Sequence, residues 1–243
     1  MVIIVSLIPI PYQIIALTQE RNSLFEYPQE RLADIIRNIG FQCTSCARCC
    51  TREFNGHVFL LDHDVTMVKT IDPGALEPAP YPEFCDKNGT FYVSGYALRT
   101  KGDPQGSCWF LENGRCRIYD SRFSICRVYP YMLHREPDEV GKIDWRQLSG
   151  LNEHGEYHHE ISIGECNTIA REVKEYENAI LTQEISFLEF IREYFAQHNL
   201  RHIQKVYDDR MRRFLRGDTI TVMVYYADQL EMTQVKKTHS QPK

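Results

Sequence analysis

The chain has 243 residues, with 28 Lys and Arg against 33 Asp and Glu, a formal net charge of −5. That length holds one large domain or two small ones and needs no covalent staple to form a core, and 43% apolar with 25% charged residues is too rich a mixture for a disordered chain. The mild acidity argues against a general phosphate-backbone binder, so no nucleic-acid partner is expected.

From Val2 to Leu17 no side chain is charged, and the first charge is Glu20. No Lys or Arg precedes this run, and Pro9 and Pro11 interrupt it. It matches neither a secretory signal nor a membrane span of about 20 apolar residues. Residues 1–27 therefore read as an N-terminal apolar arm, with Val2–Leu7 as a candidate strand. Pro28 to Gly40 predicts a helix, Pro at its start and Gly at its end, with Leu32, Ile35, Ile36 and Ile39 on one face.

After a cysteine-rich stretch, His57–Leu61 reads as a short strand. A short helix carrying Val65, Val68 and Ile71 follows, with Asp62 or Asp64 as its cap. Residues 74–90 hold Pro78, Pro80 and Pro82 and read as a loop. Thr90–Leu98 reads as one strand. Asn113-Gly114 between Cys108–Leu111 and Cys116–Tyr119 signals a hairpin in which Leu111 faces Cys116. Asp120 begins a turn or short helix toward Cys126 that Pro130 ends. Residues 135–164 look polar and irregular. From Asn167 helical spacing returns: Ile169, Val173, Tyr176 and Ile180, then Ile185, Leu188, Ile191 and Phe195 after a phase slip, then Ile203, Tyr207, Met211 and Phe214. Thr219–Tyr226 reads as a strand, and the tail from Lys236 as polar.

The nine cysteines are the anomaly. Their odd number forbids complete internal pairing, and their clustering points to thiolates kept for metal in a reducing, cytoplasmic setting. Cys43, Cys46 and Cys49 are spaced C-x2-C-x2-C, which lets successive thiolates converge from a tight turn. Cys50 follows Cys49 at once, and adjacent side chains on an extended or turning chain tend to diverge. The spacing therefore predicts one centre from Cys43, Cys46 and Cys49, with Cys126 as fourth ligand. Cys50 would point away toward Cys108, Cys116 and Cys166, as a second centre or a thiol reserve. With a two-residue hairpin turn, the period-two rule puts Cys108 and Cys116 on opposite faces, whereas a bulged three-residue loop would restore one face. Cys85, in the proline-rich loop, reads as incidental. His57, His63 and His134 are possible substitute ligands, though each is more often a surface or core histidine. The basic residues from Arg201 to Arg216 read as the solvated side of an amphipathic helix.

Phe41-Gln-Cys43-x2-Cys46-x2-Cys49-Cys50, then Cys108-x-Phe110-Leu111 through Gly114-Arg-Cys116-Arg-Ile118-Tyr119, then Cys126-Arg127-Val-Tyr-Pro130, resembles the CxxCxxCC cysteine-cluster family. That family is described as zinc- or iron-chelating domains and includes proteins named as Fe–S oxidoreductases; flagellin lysine methylases are related. The resemblance covers roughly residues 41–170. It departs at Cys166-Asn167-Thr168-Ile169, where the family often has Cys-Pro-Gly-Ile, and at Phe123, where it often has Pro. Arg127 resembles the Arg of the family's Cys-Arg pair and would face a cluster or an anion, and Tyr119 and Tyr129 would wall the site.

These readings give an α+β fold: a small irregular cysteine-rich metal-binding core over residues 28–170, then a helical part with a terminal strand over 171–243, packed on the same domain. The expected metal ligands are Cys43, Cys46, Cys49, Cys50, Cys108, Cys116, Cys126 and Cys166, with Arg127 and Tyr119 beside the cofactor. The expected cofactor is an iron–sulfur cluster, 4Fe–4S in type, or zinc. The expected role is redox or redox-coupled, with a redox or protein partner and no membrane span. The competing readings are a structural zinc module that presents a surface to a partner, and a protein-lysine methyltransferase. Against the last stands the lack of a recognisable adenosine-binding motif.

Overall fold

The computed structural model describes residues 8–131, 133–137, 143–147 and 153–236, with 133–137 and 143–147 as backbone. The architecture is α+β. Val2–Leu7 and the tail beyond Lys236 lie outside the described residues.

Helix α6 (Ile163–Gln197) is the longest element, 35 residues, roughly 52 Å at the α-helical rise. Its start is set by Ser162, whose Oγ accepts from the Glu165 backbone N–H at 3.2 Å. Ser-x-x-Glu is a capping signature, and it moves the helix start four residues ahead of the sequence reading. The expected phase slip does not interrupt the helix. Leu181 is buried and joins Val173 and Glu177 to Ile185 and Leu188 in one continuous stripe. Helices α1 (Ile10–Glu26) and α2 (Gln29–Ile39) both pack on α6. Leu24, Leu32 and Ile36 meet Cys166, Ala170, Val173 and Leu181 in one buried cluster. Part of the apolar arm is thus a helix laid on the core. Gly40 ends α2 in the left-handed region at φ 53°, and a Cβ there would lie 2.2 Å from the His159 carbonyl oxygen, so the residue must be glycine.

The segment Val58–Leu60 runs beside β4 (Tyr96–Leu98): the Leu98 N–H donates to the Val58 carbonyl at 2.8 Å and Leu60 N–H to that of Tyr96 at 3.0 Å. Helix α4 (Asp62–Ile71) follows without a side-chain cap. Its two aspartates serve other elements: Asp62 accepts from the Ala227 N–H, and Asp64 from Ser124. The expected strand over 90–98 is two strands, β3 (Phe91–Val93) and β4, broken at Ser94-Gly95, and β4 pairs with β1 (Leu76–Pro78) inside the expected loop.

The main sheet runs β10-β9-β3-β2, where β2 is Phe84–Cys85, β9 Thr219–Tyr226 and β10 Gln229–Lys236. β9 lies parallel to β3, Phe91 opposite Val222, so the end of the chain completes a sheet begun 130 residues earlier. Ile220, Val222 and Val224 alternate into the core. β10 goes unread in the sequence because its turn, Ala227-Asp228, lacks the usual glycine although both residues take positive φ, 48° and 59°. Helix α7 (Gln204–Leu215) covers the sheet near β2 and β9. The segment read as irregular contains the antiparallel pair β7 (Leu133–Pro137) and β8 (Ile143–Gln147), Arg135 opposite Trp145. Its mostly charged and polar sequence offers only a short apolar alternation, Ile143 and Trp145, from which to read a strand.

The seam between α1, α2 and α6 sets a first expectation. Ile36 is 0% exposed, so Ile36→Ala should lower unfolding free energy by about 2–5 kcal/mol through lost transfer energy and the cavity left behind. Ile15→Ala on the exposed side of α1, where Ile15 is 52% exposed, should change it by less than about 0.5 kcal/mol. Urea unfolding of both variants checks the contrast.

Candidate metal centre

The cysteine loop leaves α2 at Gly40. It is tied down by Gln42 and Glu156, which exchange backbone hydrogen bonds at 2.8 and 3.0 Å. Ser45 and Ala47 both take positive φ, 56° and 61°, a conformation with a strain cost for residues that carry a Cβ. The chain then makes a 3-10 turn over Arg48–Cys50 and helix α3 (Arg52–Asn55). The loop packs on an aromatic box: the Phe41 ring is 5.8 Å from that of His154, and Phe54 is 4.7 Å from it. Gly155 completes the box because a Cβ there would lie 2.4 Å from the Phe41 ring.

Two further elements bring cysteines to the same place. The Cys108 N–H donates to the Cys50 carbonyl at 2.8 Å. The hairpin of β5 (Leu111–Glu112) and β6 (Arg115–Cys116) has the expected register, Leu111 opposite Cys116. The expectation that Cys108 and Cys116 take opposite faces fails, however. The ladder is only two residues long, and the Leu111 N–H turns back to the Cys108 carbonyl. Cys108 therefore lies on a turn, where the period-two rule has no hold, and both thiols line one cavity. Helix α5 (Ser124–Val128) supplies Cys126. Asp64 of α4 holds the start of α5, accepting from the Ser124 N–H at 3.2 Å and from its hydroxyl at 3.3 Å.

The cavity has a volume of about 1520 Å³, and Cys43, Cys46, Cys49, Cys50, Cys108, Cys116 and Cys126 all line it. All four thiols of the first grouping read from the sequence, Cys43, Cys46, Cys49 and Cys126, line this cavity. Burial, then the charges of Cys108, Cys50 and Cys116, push the Cys126 thiol pKa up, and Cys126 and Cys43 act in the same way on Cys49. Cys43 and Cys46 are exposed on the loop. Cys49 and Cys50 do not diverge: the 3-10 turn brings their thiols together, and Cys49 donates to Cys50. That bond raises the Cys49 pKa and lowers that of Cys50 to about 7, against its burial and with help from the Arg122 guanidinium. Burial lifts Cys108 to about 11 and raises Cys116. Cys46 is shifted the other way, chiefly by the Arg48 backbone N–H and also by that of Gly155.

Cys166 is not in this group. It is 1% exposed and sits in the α1–α2–α6 core, its thiol toward the Ile161 carbonyl. Cys85 is 0% exposed in the sheet core, among Phe91, Val93 and Val222. Arg127 is exposed and lies outside the cavity lining, because on the short α5 it points away from Cys126. Arg122 takes the place expected of it: it lines the cavity, stacks 4.0 Å from the Tyr119 ring and draws down both Cys50 and Cys116. Tyr119 and Tyr129 line the cavity, and the Tyr119 hydroxyl bonds to Cys43. His57 and His154 reach the cavity and His63 does not, being bonded to Ser124 at 2.7 Å. The side chain of His134 lies outside the described residues. Sequence spacing gave no sign of His154 or Arg122; only the loop closure places them.

The donor set fits zinc or iron in kind: the seven cysteines that line the cavity are soft sulfur donors. Among the described residues no three Cys, His, Asp or Glu side chains yet converge in cation-binding geometry. Binding would therefore draw the thiols in as they lose their protons.

Residues 42–150 match the family model CxxCxxCC, described as a putative zinc- or iron-chelating domain. Metal binding, zinc or iron, is the property that the description carries to this stretch. No curated protein and no solved structure matches the chain. No helix among the described residues is long and apolar enough to cross a membrane.

Away from the thiols, His57 lies against Tyr81 at 5.6 Å, its Nδ1 buried without a hydrogen-bond partner among the described residues. Burial, then the nearby Arg52, lowers its pKa from 6.5 to about 4. The unfolded chain thus takes up this proton near pH 6.5 and the folded chain only near pH 4. Its contribution is complete above pH 6.5 and is lost as pH falls through 4. Wild type should therefore lose more stability over that interval than His57→Gln, measured by urea unfolding at a series of pH values.

Proposed function

We propose that the cysteine end of the cavity holds an iron–sulfur cluster in a redox or redox-coupled role. The observation that carries this reading is the crowding of thiols: seven cysteines line one open cavity, more than a single four-coordinate zinc uses. Cys50, Cys108, Cys116 and Cys126 are the ligands, with Cys43, Cys46 and Cys49 on the loop above them. A bound cluster supplies one-electron chemistry.

The chain's own residues prepare the place. Arg122 puts a positive charge beside the thiolates and offsets their mutual repulsion. Phe110 and Phe123, 0% and 2% exposed, wall the cavity and keep water from the sulfurs. Asp64 fixes α5 and with it Cys126. The cavity stays open beyond the loop, so a redox partner has access to the sulfur side.

Protein purified without air should contain iron and acid-labile sulfide and show broad visible absorption that bleaches on reduction. Colourless protein with stoichiometric zinc would overturn the cluster and leave a zinc site on the same four cysteines. Cys50→Ser or Cys126→Ser should abolish metal content, whereas Cys85→Ser and Cys166→Ser should retain it. Metal lost in Cys85→Ser but kept in Cys50→Ser would overturn the ligand assignment.

A further inference from the structure

The cavity extends beyond the thiols into a second part that the metal reading does not use. Helix α6 forms one wall there: Glu177 and Glu184 are seven residues apart, two turns on one face, with Gln183 beside Glu184. Gln183 is held in place, its amide donating to the Leu60 and Ser94 carbonyls at 3.4 and 3.3 Å. Glu83, just before β2, enters from the opposite side.

Glu83 is the unusual group. Its Oε1 accepts from the Ser94 N–H at 3.2 Å, but its Oε2 is buried and has no hydrogen-bond partner among the described residues. Burial of the carboxyl group raises its pKa to about 7, and Glu184 adds to the effect. A buried acceptor without a donor costs about 1–3 kcal/mol, more when charged. Such a cost at a cavity wall points to a donor brought by a ligand.

The charge of the cavity says which kind of donor. Six glutamates line it, and among the described residues Arg122, at the thiol end, is the sole lining Lys or Arg. Near Glu83 the walls are Tyr81, Pro82 and Tyr207, surfaces suited to a hydrocarbon stem and to a cation over a ring face.

We infer that this second part of the cavity binds a primary ammonium group on an apolar stem, the N–H donating to Glu83 Oε2 with Glu184 alongside. The site is independent of what the cysteines hold.

The test is calorimetric titration of the full-length, metal-loaded protein with n-butylammonium, tetramethylammonium and 1-butanol. Butylammonium should bind saturably, and the other two, which lack the N–H donor or the charge, should not compete with it. Glu83→Gln should weaken binding by at least about tenfold, the loss of one charge-assisted hydrogen bond. Its metal content should stay unchanged, which separates this site from the cysteine centre. Should Glu83→Gln fold poorly, Glu83→Asp keeps the charge but withdraws it by one methylene and should also weaken binding. Absence of saturable butylammonium binding, equal affinity for tetramethylammonium, or unchanged affinity in the Glu83 variants would each overturn the inference.

Discussion

The structure depends on the two-sided burial of α6. One side takes α1 and α2 in a dry seam of Leu24, Ile36, Ala170 and Leu181, and further along the same helix Phe187, Leu188 and Ile191 meet Phe84 and Tyr225 of the sheet. Each such side chain removed from water contributes about 1.5–3 kcal/mol. Between these clusters α6 presents Glu177, Gln183 and Glu184 to the cavity. A helix clamped by apolar contacts above and below can tolerate carboxylates at its middle that would be costly on a less supported element.

The thiol end shows how local geometry and electrostatics are set together. Cys49 and Cys50 share a hydrogen bond because a 3-10 turn brings neighbouring side chains round, and the same turn offers the Cys50 carbonyl to Cys108. One backbone bond therefore fixes both the loop and the segment that carries the next ligand. Burial raises most of these thiols, and so protons must leave when metal arrives. Arg122 favours that departure near Cys50 and Cys116. The guanidinium is itself steadied by the Tyr119 face.

The cavity's two ends differ in chemistry. Soft thiols with a guanidinium form one, and enclosed carboxylates form the other. They share a continuous space because β4, the Val58–Leu60 segment and the middle of α6 close around it without filling it. The parallel pairing of β9 with β3 locks this arrangement, since the sheet cannot complete until the C-terminal strand returns.

The cysteine motif, the Asn113-Gly114 hairpin register, the Pro28–Gly40 helix, the apolar periods of the C-terminal helices and the α+β class were all legible in the sequence. Each rests on local spacing or on a residue whose backbone preference acts alone. Long-range closure decided the rest. Cys166 has the right residue type, yet helix phase buries it under α1 and α2. Arg127 and Arg122 are separated by five positions, and only the direction of a one-turn helix makes Arg122 the one that faces the thiols. Cys126 reaches the cavity because Asp64 holds the start of α5 at Ser124, 60 residues further along the chain. Spacing counts residues along the chain, whereas ligand grouping depends on where separate elements dock, and docking is settled by apolar faces far from the cysteines themselves.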